Sequence, residues 1–127
     1  MIIEDFVNES VAGYLKESGY EIVSQALGKR SGPDIHAKDS KCILKIECKG
    51  ETQAKNQANA TWESCARALF NLLKKIENRE PNVIWGLAFP DTEHYRRRME
   101  SLESFCKRHF IPVFWVKSNG AVREWNS

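Results

Sequence analysis

The chain has 127 residues, 42% of them hydrophobic and 28% charged, and carries a net charge of +2. That length closes one core, the balance excludes a disordered chain, and so mild a charge allows a nucleic-acid partner only through a local patch. No apolar run approaches membrane-spanning length, no basic and apolar leader opens the chain, and Cys42, Cys48, Cys65 and Cys106 form no CxxC pair, so the expectation is a cytoplasmic protein of one domain, residues 1–127, with reduced thiols mostly packed in the core.

Residues 2–18 read as a helix, with Ile3, Phe6/Val7, Val11 and Tyr14/Leu15 at helical spacing and Gly19 as its stop. A short strand follows over 20–27, then a loop over 28–33. Residues 34–48 read as a β-hairpin: a first arm at 34–37, a turn at 38–41 and a second arm at 42–48, where apolar and charged residues interleave. A long helix is expected over 53–78, with Trp62, Cys65/Ala66, Leu69, Leu73 and Ile76 as its apolar stripe and Pro81 beyond its end. The run 83–89 is apolar throughout, as in a strand buried on both faces. Asp91 or Thr92 caps another helix with the stripe Tyr95, Met99, Leu102 and Phe105/Cys106. A strand at 111–116, a turn at Asn119-Gly120 and an edge strand at 122–125 complete the chain. A hairpin followed by strand–helix–strand units implies a mixed α/β sheet sandwiched by helices.

Chemistry concentrates in the hairpin. Alternation puts Leu44, Ile46 and Cys48 on one face of the second arm and Lys45, Glu47 and Lys49 on the other. A turn centred on Ser40 and Lys41 sets Asp34 across the ladder from Glu47. Two carboxylates and a lysine at one polar end suit a hard cation such as Mg²⁺ or Mn²⁺, which takes oxygen ligands and keeps several waters. Such a cation polarises a phosphodiester oxygen and lowers the pKa of a bound water. Lys49 beside it would orient that water or neutralise charge developing on the phosphate. The bland alternative is a salt-bridged, half-solvated strand face.

Pro33-Asp34, twelve residues, then Glu47-Cys48-Lys49 resembles the PD-(D/E)XK nuclease motif, and the order of elements over roughly the first ninety residues resembles that superfamily's αβββαβ core. The resemblance implies a restriction-endonuclease-like α/β fold: a mixed central sheet flanked by helices, here with an added C-terminal helix and hairpin. It implies a metal-dependent endonuclease acting on DNA. Asp34, Glu47 and the Cys48 backbone carbonyl would be metal ligands, and Lys49 the catalytic lysine. Residues 11–20, ending in Gly19-Tyr20, resemble the first-helix end of Mrr-type restriction enzymes and archaeal Holliday-junction resolvases. Counted back from Gly19, their helix glutamate falls on Asn8. Glu9, reached by a small helix rotation, is the favoured substitute; Glu4 and a neutral Asn8 ligand are the alternatives. The segment 89–98 resembles one in small restriction-endonuclease-like proteins of undefined role.

Lys29 and Arg30, whose loop leads into Asp34, and Gln53 and Gln57, at the start of the long helix, are the candidate nucleic-acid contacts. Trp62 reads as core rather than as a stacking platform, and the run 96–98 as a solvated face. A domain this small leaves specificity and a second active site to a homodimer or a partner protein. The apolar stretch 114–125 is either that dimer surface or core. The other readings are a non-catalytic nucleic-acid-binding or assembly module and an RNA-directed nuclease.

Overall fold

The computed structural model describes residues 1–28 and 32–125. In chain order it contains α1 (Glu4–Glu17), β1 (Glu21–Gln25), β2 (Ile35–Lys38), β3 (Ile43–Cys48), α2 (Gln57–Glu77), β4 (Val83–Pro90), α3 (Glu93–Met99), a 3₁₀ turn (Glu100–Leu102), α4 (Glu103–Arg108), β5 (Val113–Val116) and β6 (Val122–Glu124). The six strands form one sheet in sequential order. β1, β2 and β3 are antiparallel, β3, β4 and β5 are parallel, and β6 returns antiparallel to β5. This is the expected restriction-endonuclease-like α/β fold, a mixed sheet with helices on both faces.

The sidedness follows from handedness. Both parallel crossovers step the same way across the sheet, and right-handed crossovers then place their helices on the same face. Accordingly α2, α3 and α4 share a core with Trp85, Leu87, Phe89, Val113 and Trp115. Alternate residues of the same strands, with Ile35, Ile46 and Cys48, pack beneath α1 through Val7, Val11, Ala12 and Leu15. Phe114, Trp115 and Val116 are buried, and Trp125 packs against Trp115, so this apolar stretch is interior and not a dimer surface. The four cysteines are free thiols, three of them buried. Among the described residues no helix is long and apolar enough to cross a membrane.

Two helices depart from the sequence pattern. α2 begins at Gln57, not near Gln53, because the Asn56 side chain accepts the Asn59 N–H and caps it. Its inward face is Thr61, Cys65, Ala68 and Leu72. Of the expected stripe, Cys65, Leu69 and Ile76 pack against the core, whereas Trp62 (55% exposed) and Leu73 (50%) face outward with Phe70. The helix after Thr92 breaks at Met99 into a 3₁₀ turn before α4. Tyr95, Met99 and Cys106 remain buried, while Phe105 is turned outward.

The face of α2 is directly testable. Leu72→Ala, which empties a fully buried site, is expected to cost about 2–5 kcal/mol. Trp62→Ser, on the outward face, is expected to change stability by less than about 1 kcal/mol. Denaturant unfolding of both variants measures this, and equal losses contradict the assignment.

Candidate functional site

A single turn fixes the site. The Asp39 carboxylate accepts the N–H groups of Lys41 (2.8 Å) and Cys42 (2.9 Å), closing the hairpin. The resulting register pairs Ile35 with Ile46 and His36 with Lys45. One step beyond the ladder, Asp34 faces Glu47. Its Oδ2 accepts the Cys48 N–H at 2.7 Å. Lys49 donates its own N–H to Ala88 on β4; by alternation along the strand, the Cys48 carbonyl turns toward the β2 side, where Asp34 lies. Asp34, Glu47 and Lys49 are all half-buried at this end of β3.

Burial and like charge govern the electrostatics. Glu47 is pushed up from its ordinary 4.5 to about 7, first by desolvation and then by the Asp34 charge, with Lys49 and Lys75 opposing. Desolvation also raises Asp34, against the lowering pull of the Cys48 N–H and Lys49. The chain's own cations do not offset the pair's repulsion, and near neutral pH Glu47 is only partly ionised.

On the first helix, the structure brings Glu4 rather than Glu9 toward Asp34. Glu9 lies on the exposed flank of α1. Glu4 is the residue whose carboxyl is raised by burial and by Asp34, and lowered by Lys49. Asn8 (1% exposed) is a brace. Its amide donates to the Asp34 carbonyl (2.9 Å) and, at 3.4 Å, to that of Ala26; its oxygen accepts from Gln25 (2.8 Å). Both ends of Asn8 are thus committed to holding the backbone that carries Asp34.

Gly50, immediately after the motif, lets the start of α1 approach. A Cβ there would lie 2.5 Å from the Ile3 carbonyl carbon and 2.6 Å from the Glu4 Cα, so no other residue fits without moving Glu4. Ile2 and Glu51 clasp the junction with two bonds, the Ile2 N–H to the Glu51 carboxylate and the Glu51 N–H to the Ile2 carbonyl. Tyr95 from α3 donates its hydroxyl to the Gly50 carbonyl at 2.9 Å and meets the Ser64 hydroxyl at the same distance. Glu4 was one of the alternatives offered by the sequence, whereas Gly50 was missed; its place directly after Cys48-Lys49 was the available signal.

The remaining candidates separate. Lys29 and Arg30 lie outside the described residues. Gln53 is exposed in the loop before α2. Gln57 donates its amide to the Thr52 and Ala54 carbonyls and closes that loop on itself. Arg96 pairs with Asp91 and Arg97 with Glu93, while Arg98 lies over the Trp62 ring, so the run 96–98 has partners within the chain.

Among the described residues no three His, Cys, Asp or Glu side chains gather tightly enough to cage a metal ion. The donor set is nonetheless that of a hard cation: two carboxylates, one repelling the other's charge, with a backbone carbonyl alongside and open water for the remaining positions. Asp34 and Glu47 fit Mg²⁺ or Mn²⁺ in an open site, and the further acids in electrostatic contact with Asp34 are Glu4 and Asp5 at the start of α1.

No sequence family and no curated protein matches the chain. Its fold is similar to solved structures of an XisH family protein from Nostoc punctiforme (13% identity, TM-score 0.61, covering 93% of this chain and 96% of that one) and of an fdxN element excision controlling factor protein from Anabaena variabilis (16% identity, TM-score 0.61, covering 94% and 96%). At these identities the likeness is one of fold.

Two measurements test the site's construction. Asn8→Ala leaves the Asp34 carbonyl and the Gln25 amide without this buried partner and is expected to cost about 1–3 kcal/mol in denaturant unfolding; a neutral result contradicts the bracing role. Between pH 4.5 and 7 native Glu47 holds a proton that the unfolded chain has released, so it makes stability fall as pH rises through that window. In metal-free buffer Glu47→Gln is expected to flatten that fall, and an unchanged pH dependence contradicts the raised carboxyl.

Proposed function

We propose that this chain is a divalent-metal-dependent endonuclease that hydrolyses DNA phosphodiester bonds at the Asp34–Glu47–Lys49 end of β3. The observation that carries this reading is the juxtaposition itself: the hairpin register sets Asp34 opposite Glu47, and Lys49 shares their electrostatic field. Mg²⁺ or Mn²⁺ held there would polarise the phosphate and acidify its bound water.

The chain's own residues do the rest. Asp34 and Glu47 hold the cation, and the Cys48 N–H fixes the Asp34 carboxylate so that one oxygen is oriented by the backbone. Lys49 is placed to neutralise charge that grows on the phosphate oxygens in the transition state, where a fixed ammonium is most effective. Glu4, in place of Glu9, is a half-buried first-helix acid within electrostatic reach of both Asp34 and Lys49; it suits a proton acceptor for the attacking water or a water-mediated ligand. One neighbour in fold is named for controlling excision of an element, a process that strand cleavage would serve.

One observation favours a second reading. At the position where the resembled helix end carries a glutamate, this chain has Asn8, fully engaged in bracing. A non-catalytic nucleic-acid-binding module on the same fold would need no acid there.

A single comparison separates the two. Wild type, Lys49→Ala and Asp34→Ala are incubated with supercoiled, linear and branched DNA, and in parallel with RNA, in Mg²⁺ and in Mn²⁺. Cleavage of DNA by wild type and a loss of about 100-fold or more in either variant is expected. Binding without cleavage by any form leaves the module reading, and cleavage confined to RNA replaces the substrate.

A further inference from the structure

A groove of about 350 Å³ runs between β3 and the C-terminal half of α2, lined by Lys45, Lys74, Lys75, Arg79, Glu80 and Trp85 among others. Its floor is unusual. Lys45 from β3 and Lys75 from α2 both hold their ammonium groups 5.5 Å from the centroid of the same Trp85 ring, and Lys74 lies over Phe70 just beside them. Cation–π contact holds each lysine in place without neutralising it. Among the described residues none of the three forms an ion pair with a carboxylate, and Glu80 is the one acid lining the groove. Two like charges gathered over one ring are an arrangement that an external anion relieves.

The groove lies on the same face of β3 as the candidate site. Lys45, Glu47 and Lys49 project from the same face of β3 at intervals of about 7 Å, and the charge of Lys75 reaches Glu47. Trp85 is only 7% exposed and its ring is covered by lysines, so it offers no surface on which a base can stack. The groove presents ammonium groups to phosphates and nothing that distinguishes one base from another.

We infer that this groove is a track for a nucleic-acid backbone, in which Lys45 and Lys75 grip phosphates flanking the one that enters the Asp34–Glu47–Lys49 centre. The track rests on the nuclease reading only for where the strand leads; phosphate binding by the groove stands separately. Binding is expected to be independent of base sequence and steeply salt-dependent, because each neutralised phosphate releases condensed counterions.

The test is duplex DNA binding by fluorescence anisotropy across a salt series without divalent metal, followed by cleavage in Mg²⁺ and Mn²⁺. The proteins are wild type, the double variant Lys45→Gln/Lys75→Gln, and Lys16→Gln on the opposite layer as control, each checked for folding by circular dichroism. In the double variant the slope of log K against log salt is expected to become shallower by about 1.8, at roughly 0.9 for each lost contact on duplex DNA, while Lys16→Gln retains the wild-type slope. An unchanged slope in the double variant, or no DNA binding by wild type, overturns the track. Lysine-dependent binding by a wild type that cuts nothing supports the track and overturns the nuclease; cleavage with an unchanged slope does the reverse.

Discussion

Everything at the site depends on the register of one hairpin. Ile35 opposite Ile46 buries both beneath α1, and the same register, extended one step, sets Asp34 opposite Glu47. A slip of one residue would invert the slipped arm and move its core side chains to the other face. The apolar demand of α1 on one face of the sheet therefore dictates where the carboxylates stand on the other. The Asx-type turn at Asp39 and the Cys48 N–H bond to Asp34 close the hairpin at its two ends, so the geometry of the pair is determined before any ligand arrives.

That geometry is electrostatically unfavourable for two ionised carboxylates. Burial and mutual repulsion raise both carboxyls, and Glu47 reaches about 7. Such perturbed pairs mark functional sites more often than structural ones, because a fold has no need to hold two acids together in a half-dry corner. The surrounding braces point the same way. Asn8 bonds the Asp34 carbonyl, Gly50 admits the start of α1, and Tyr95 anchors Gly50 from the opposite layer. Two helices, α1 and α3, thus converge on the segment Asp34, Glu47 to Gly50 from opposite layers.

The hairpin, the central β4 and the order of elements along the chain were legible because their signals are local: strict alternation at 43–48, an unbroken apolar run at 83–89, and turn residues between arms. The face of α2 was not. That helix buries Thr61, Cys65, Ala68 and Leu72 and turns Trp62, Phe70 and Leu73 outward, so several of its largest apolar side chains lie on the outer face. Periodicity reports that a helix is amphipathic, but only packing decides which of two neighbouring stripes is buried. The first-helix acid failed for a related reason. Glu4 and Glu9 are both plausible by counting, and the choice depends on the close approach at Gly50, a contact between residues 46 positions apart that no local pattern encodes. The pairing of Lys45 and Lys75 across Trp85 is likewise a product of tertiary placement, since each lysine alone reads as an ordinary solvated side chain.

The most direct measurement is calorimetric titration of Mn²⁺ into wild type, Asp34→Asn and Glu47→Gln in buffer above pH 7.5, where wild-type Glu47 is largely ionised. If Asp34 and Glu47 form a cation site, wild type binds the ion with release of the remaining shared proton, and each substitution weakens binding at least tenfold. Equal binding by all three proteins, or none by wild type, contradicts a metal centre between the two carboxylates.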